Sequence, residues 1–127
     1  MTTEVKGLAL LLWAATPDRP ELCVTPLVHA LAARALDVEV EIHFAGPAVR
    51  LLVEGVVDGL YPTAAREKSI RAFLEETREA GAALYACSMA GAAYLAEGEK
   101  LIPGAKSAGA TAFVARSLDP GWRTLVF

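Results

Sequence analysis

The chain has 127 residues, 54% of them hydrophobic and 21% charged, enough for one domain with one core and too apolar for a disordered chain. Twelve Lys and Arg stand against 15 Asp and Glu, a net charge of −3 with the signs interspersed, so neither nucleic acid nor an anionic membrane meets a basic surface. Met1-Thr2-Thr3-Glu4 lacks the basic start and cleavage site of a signal peptide, and the two cysteines are therefore expected to be thiols in the reducing cytoplasm and not a structural disulfide.

Residues 7–13 (GLALLLW) form a short unbroken apolar run before Thr16-Pro17-Asp18-Arg19-Pro20, the mark of a strand buried on both faces. Beyond it Val24, Leu27, Val28, Leu31 and Ala35 recur at helical spacing. Pro26 fits only in a first turn, so a helix is predicted to begin near Leu22 or at Thr25, with Thr25 a suitable N-cap. Residues 38–44 (VEVEIHF) alternate strictly between apolar and polar side chains, which predicts a half-exposed strand at a sheet margin. A short amphipathic helix carrying Val49, Leu52 and Val53 follows Gly46-Pro47 and stops near Gly55, and the stretch to Pro62 reads as loop. A third helix is predicted over 66–80, with Ile70, Phe73, Leu74 and Thr77 inward and Gly81 as its stop.

Residues 82–86 (AALYA) read as a short strand and 88–96 as a small-residue helix, with Cys87 at their junction. The uncharged stretch 80–96 around it is mainly Ala and Gly, without the Leu, Ile and Val density that favours membrane insertion. The remainder supplies a turn or very short strand over 104–109, a helix over 110–118 and a last strand over 123–127. Strands and helices alternate, which predicts a single three-layer α/β domain over residues 1–127: a mainly parallel sheet of about five strands in a flavodoxin-like order, with helices on both faces. In such a sheet chemistry sits beyond the carboxyl ends of the strands, where the winding reverses between the first strand and the third. Cys87 is expected at that point, with Cys23 and His43 opening onto the same edge.

A thiol between a strand end and a helix start faces unpaired backbone N–H groups and the positive end of the helix dipole, which favour the reactive thiolate. The competing reading is a buried cysteine that only packs. At this junction the chain resembles a known family. Tyr85-Ala86-Cys87-Ser88-Met89, preceded by Glu79-Ala80-Gly81 and followed by Gly104-Ala105-Lys106-Ser107-Ala108-Gly109, is similar to the DsrE/DsrF-like family of small sulfur-relay proteins. The similarity runs from the opening strand–helix–strand to Thr124-Leu125-Val126-Phe127. It implies a flavodoxin-like fold assembled into trimers or hexamers. In relay members it also implies a cysteine, after the equivalent strand, that carries persulfide sulfur between protein partners. Only Cys87 matches that cysteine, and the small Ala90-Gly91-Ala92-Ala93 stretch stands where relay members carry a basic segment.

The expected function is thus a sulfur carrier holding sulfane sulfur on Cys87 between donor and acceptor proteins, with Ser88 beside it as an accessory. One alternative is an oligomeric, non-catalytic module that binds a small ligand or partner at the same edge. Another is a two-cysteine redox protein with Cys23 as resolving thiol, which needs the two Cα atoms within about 7 Å. His43 is a candidate base or thiolate stabiliser, against the simpler reading of a solvated side chain. His29 flanks the packed face of the first helix and takes no role, and Trp13, Tyr61 and Tyr94 are read as packing residues. No glycine-rich phosphate cradle, no H-E-x-x-H, no C-x-x-C and no G-x-S-x-G elbow occurs, so no cofactor, metal or hydrolytic chemistry is expected. The apolar surplus is expected to be hidden in a homo-oligomer.

Overall fold

The structure, a computed structural model, describes residues 4–127. Met1–Thr3, on which the expectation about export partly rests, lie outside the described residues. Among those residues β1 (Gly7–Leu12), β2 (Glu39–Phe44), β3 (Ala83–Cys87), β4 (Ala105–Ala108) and β5 (Trp122–Val126) form one sheet, every neighbouring pair parallel. The connections hold α1 (Val24–Ala35), α2 (Ile70–Glu79), α3 (Ser88–Tyr94) and α4 (Ala110–Leu118), with 3-10 turns at Pro20–Leu22 and Gly46–Leu52.

The α/β class and the parallel sheet are as the sequence predicts, but the strand order is β4-β3-β2-β1-β5. The chain winds outward from β1 to β4 and then returns to place β5 on the far side of β1. The winding therefore reverses beside β1, and Cys87, at the end of β3 next to the edge strand, is not at the reversal. Two local causes account for the difference. Residues 105–108 form a true strand that extends the sheet past β3. The alternating segment forms β2, which is the central strand and not a marginal one. Of its polar positions, His43 is buried and Glu41 mostly covered, because they are paired beneath α4.

One face of the sheet is fully covered. Leu10, Leu12, Ile42, Phe44 and Leu84 project into a core completed by Leu27 and Ala30 of α1, Ile70 and Leu74 of α2, and Val49, Leu51 and Leu52 of the 3-10 turn. Each large side chain buried in this way contributes about 1.5–3 kcal/mol. The pleat sends Glu41, His43 and Tyr85 to the other face, where α4 alone packs, without one buried residue of its own. Helix starts also depart from expectation. Cys23, not Thr25, occupies the N-cap of α1, and Pro26 is buried in its first turn. Helix α2 begins at Ile70, because Arg66 adopts φ 53° and Ser69 caps the helix by accepting the Ala72 amide at 3.0 Å. Gly81 ends the following turn at φ 103°, a conformation that side chains resist.

Gly7 has a different reason. A Cβ there would stand 2.5 Å from the Trp122 ring, which lies over the strand. The Gly7→Ala variant is expected to lose about 2 kcal/mol through overpacking, read as a lower denaturation midpoint at unchanged slope. A midpoint equal to the parent's would show that the indole has room to move.

Candidate functional site

Cys87 closes β3 and serves as the N-cap residue of α3, its backbone extended at φ −60° and ψ 124°. Its thiol is free and half-buried. Among the described residues no side chain or carbonyl hydrogen-bonds to its sulfur. Strand alternation puts it on the same side as Tyr85. Ser88 begins α3 and is exposed, and Met89 is 82% exposed. A Cβ at Gly109, the N-cap residue of α4, would lie 3.9 Å from the Ser88 hydroxyl. The β4–α4 turn therefore borders the same spot.

The structure does not open Cys23 to that spot. Cys23 is wholly buried, and its thiol donates to the carbonyls of Thr16 at 3.6 Å and Arg19 at 3.7 Å. Burial, with a smaller contribution from the charge of Glu21, pushes this thiol up from 9.0 to about 12. A resolving thiol has to ionise and reach its partner. Cys23 is held from doing either, and the packing role is the one it fills.

His43 lies on β2 under α4 and is 5% exposed, so it is not a solvated strand-end residue. Its ring stacks on Tyr85 at 5.1 Å between centroids and meets Phe113 of α4 edge-on at 5.5 Å. Its Nε2 donates to Glu41 Oε1 at 3.1 Å. Glu41 in turn accepts from Arg116 of α4, with Nε at 3.1 Å and Nη2 at 2.6 Å from Oε2, and the guanidinium lies 3.8 Å from the Trp122 ring centre. Burial works to raise the Glu41 carboxyl, but the bonds and charges of Arg116 and His43 outweigh it and hold it below the usual carboxylate range. A space of about 300 Å³ remains between this chain of side chains and Ala112 and Ala115 of α4. His43 is thus engaged with Glu41, and the structure shows no hydrogen bond between it and Cys87.

Sequence reasoning missed Glu41 and Arg116 because they are 75 positions apart; alternation alone gives a polar residue no partner. It also missed Arg50 and Glu99, 49 positions apart, which pair at 2.8 and 3.0 Å beside α3. Trp13 and Tyr94 are exposed at 57% and 43% and are not packed in the core. Tyr61 is partly covered by the Arg66 guanidinium, 4.7 Å from its ring centre. His29 bonds the Thr25 carbonyl at 2.7 Å and meets Phe127 edge-on. Among the described residues, no three His, Cys, Asp or Glu side chains gather as a metal site, and no helix is long and apolar enough to cross a membrane.

An all-parallel sheet with one accessible thiol at a strand's carboxyl end defines a small cysteine-bearing α/β protein of flavodoxin-like architecture. The sequence profile of the DsrE/DsrF-like family matches residues 9–127, and the chain belongs to that family. Among solved structures it is similar to the crystal structure of the ychN protein from E. coli, with a TM-score of 0.73 and 16% identity over 100% of both chains. At that identity the likeness concerns the fold. No curated protein sequence matches the chain significantly.

Two outcomes follow. In the folded protein Cys23 is expected to resist iodoacetamide at neutral pH and to become reactive only on denaturation. Because its folded value is raised, the stability it contributes is intact below about 9.0 and lost as pH climbs toward about 12. Modification of native Cys23 as fast as a free thiol would contradict the burial described. Glu41→Gln is expected to cost about 1–2 kcal/mol by leaving Arg116 short of its charged partner. The loss should shrink as pH falls from the ordinary carboxylate range through the lower folded value, where Glu41 itself protonates. Equal denaturation curves at pH 7 for both proteins would remove the tether from the stability account.

Proposed function

We infer from membership of the DsrE/DsrF-like family that this chain works in sulfur relay. We propose that this chain is a persulfide carrier with Cys87 as its carrying residue. The observation behind this is the state of the thiol: free, half-exposed and unengaged at a strand's carboxyl end, while the other cysteine is sealed in the core. In the first step the Cys87 thiolate attacks the outer sulfur of a donor persulfide. A new S–S bond forms at Cys87, the donor's S–S bond breaks, and the donor leaves as a thiolate, with no net oxidation. The acceptor thiolate repeats the exchange on Cys87–S–SH and releases Cys87. Ser88 borders the attacked sulfur, and the uncharged surface of α3 leaves the approach free of fixed charge. Such an exchange belongs in a reducing compartment, which favours the cytoplasm.

The same reading takes the chain to be a homo-oligomer, a trimer or hexamer. It is supported by the exposed Met89, Val114, Leu118 and Val126, apolar side chains that a second copy would cover.

Incubation with inorganic polysulfide, followed by intact mass and peptide mapping, tests the carrier. Wild-type protein is expected to gain one reducible sulfur atom on Cys87, Cys23→Ala to gain it equally, and Cys87→Ser to gain none. Sulfur on Cys23 alone, or none on folded protein, would sink the proposal.

A further inference from the structure

Helix α3 is a weakly held element. It has seven residues, a glycine at position 91, and one buried side chain, Ala90; such short segments do not hold their shape unaided. Its N-terminal end is joined directly to Cys87, the N-cap residue of α3, so whatever fixes α3 fixes the backbone that carries the thiol. The opposite end is fixed by a side chain from another part of the chain. Arg50 projects from the 3-10 turn Gly46–Leu52, whose Ala48, Val49, Leu51 and Leu52 are fully buried, and so starts from an anchored base. Its Nη1 donates to the carbonyl of Tyr94, the last residue of α3, at 2.8 Å, and to Glu99 Oε1 at 2.8 Å; its Nη2 donates to Glu99 Oε2 at 3.0 Å. Glu99 Oε1 also accepts the Ala96 amide at 2.7 Å.

The segment just beyond is zipped to the same turn. The Glu54 amide donates to Lys100 and the Ile102 amide to Leu52, both at 2.8 Å. A guanidinium on the final carbonyl of a helix satisfies an orphan acceptor and sits at the favourable end of the helix dipole. A bidentate carboxylate then fixes the guanidinium plane. The two effects act on the only part of α3 that lacks a covalent tie to a strand.

We propose that Arg50 and Glu99 form a latch that sets the position of α3 and thereby the reactivity of the Cys87 thiol at its N-cap. They are positioning residues: neither touches the reacting sulfur. The latch persists through ordinary pH. Hydrogen bonds from Arg50 and the Ala96 amide hold the Glu99 carboxyl down at about 2, and Arg50 faces the charges of Glu99 and Asp18. Any release of α3 therefore comes from a partner that competes for Arg50 or Glu99, not from protonation between pH 5 and pH 9. This inference deepens the carrier reading and is tested apart from it.

The test compares iodoacetamide modification of Cys87 in wild type, Glu99→Gln and Arg50→Lys at several pH values from 5 to 9, with amide hydrogen exchange across 88–96. Opening of α3 is expected to speed both modification and exchange about fivefold in Glu99→Gln. In Arg50→Lys, which keeps the charge but not the fork, the increase is expected to be smaller. The ratio to wild type should stay constant across the pH range. Val40→Ala, a core change away from α3, serves as the stability control and is expected to lower the melting temperature without the selective rise at Cys87. Rates within twofold of wild type in both latch variants, or a rise matched by Val40→Ala, would overturn the latch. Should Glu99→Gln not fold, Arg50→Lys decides alone by the same criterion. Polysulfide loading of the wild type is read in parallel: no sulfur on Cys87 ends the carrier reading while leaving the latch to the modification rates.

Discussion

The rest of the structure depends on how the second face of the sheet is closed. A parallel sheet needs cover on both sides, because its strands carry apolar groups and polar backbone that water would compete for. Helices α1 and α2 cover one face fully. Among the described residues the other has only α4, nine residues long and amphipathic but with none of its side chains buried. It is held instead by a chain of specific contacts: Gly7 leaves room for the Trp122 ring, the ring carries Arg116, and Arg116 grips Glu41 on the central strand. A buried ion pair is a poor source of net stability compared with apolar packing. What it supplies is a single position for the helix. Glu41 accepts in one geometry, and a helix shifted along the sheet would leave a carboxylate unpaired under cover.

That constraint also explains which parts of the fold were legible in the sequence. Elements recorded by a continuous or helical apolar pattern, such as residues 7–13 and the face of α2 at Ile70, Leu74 and Thr77, stand close to where periodicity puts them. The position of β2 was not legible. Its alternation is real, but alternation reports polar against apolar, not wet against dry, and His43 is buried and Glu41 mostly covered because residues from α4 and from β2 itself pair with them. Once β2 is moved to the centre, β3 and β4 extend the sheet on one side and β5 closes the other. Cys87 falls at the junction expected for it, yet at the end of β3 and not where the winding reverses. The partners that decide its setting, Arg50 and Glu99, come from segments far apart in the chain.

The two cysteines show how little a residue type says without its surroundings. Both lie at the start of a helix, at the N-cap position of α1 and of α3. Cys23 follows a loop that folds over it and offers two carbonyls, so its thiol is a donor fixed inside the core. Cys87 ends a strand near the sheet's edge, and the helix after it is too small in side chains to bury it. An element boundary is therefore not enough to predict reactivity. Whether the neighbouring residues pack inward is what separates the two. After Cys23 come Pro26 and Leu27, both buried; after Cys87 come Ser88, Met89 and Ala90, of which only Ala90 packs inward.

The small residues of α3 carry two consequences that pull in opposite directions. Without bulk they leave the thiol only half-buried and let another chain approach its backbone closely, as the proposed sulfur exchange between proteins would require. The same lack of bulk deprives α3 of the burial that would hold it still. A larger core-facing residue would steady the helix but close over the sulfur. The fold resolves this by fixing α3 from its far end, with a polar clamp rooted in the buried 3-10 turn. Rigidity is thus supplied at a distance from the Cys87 sulfur, by groups that take no space beside it.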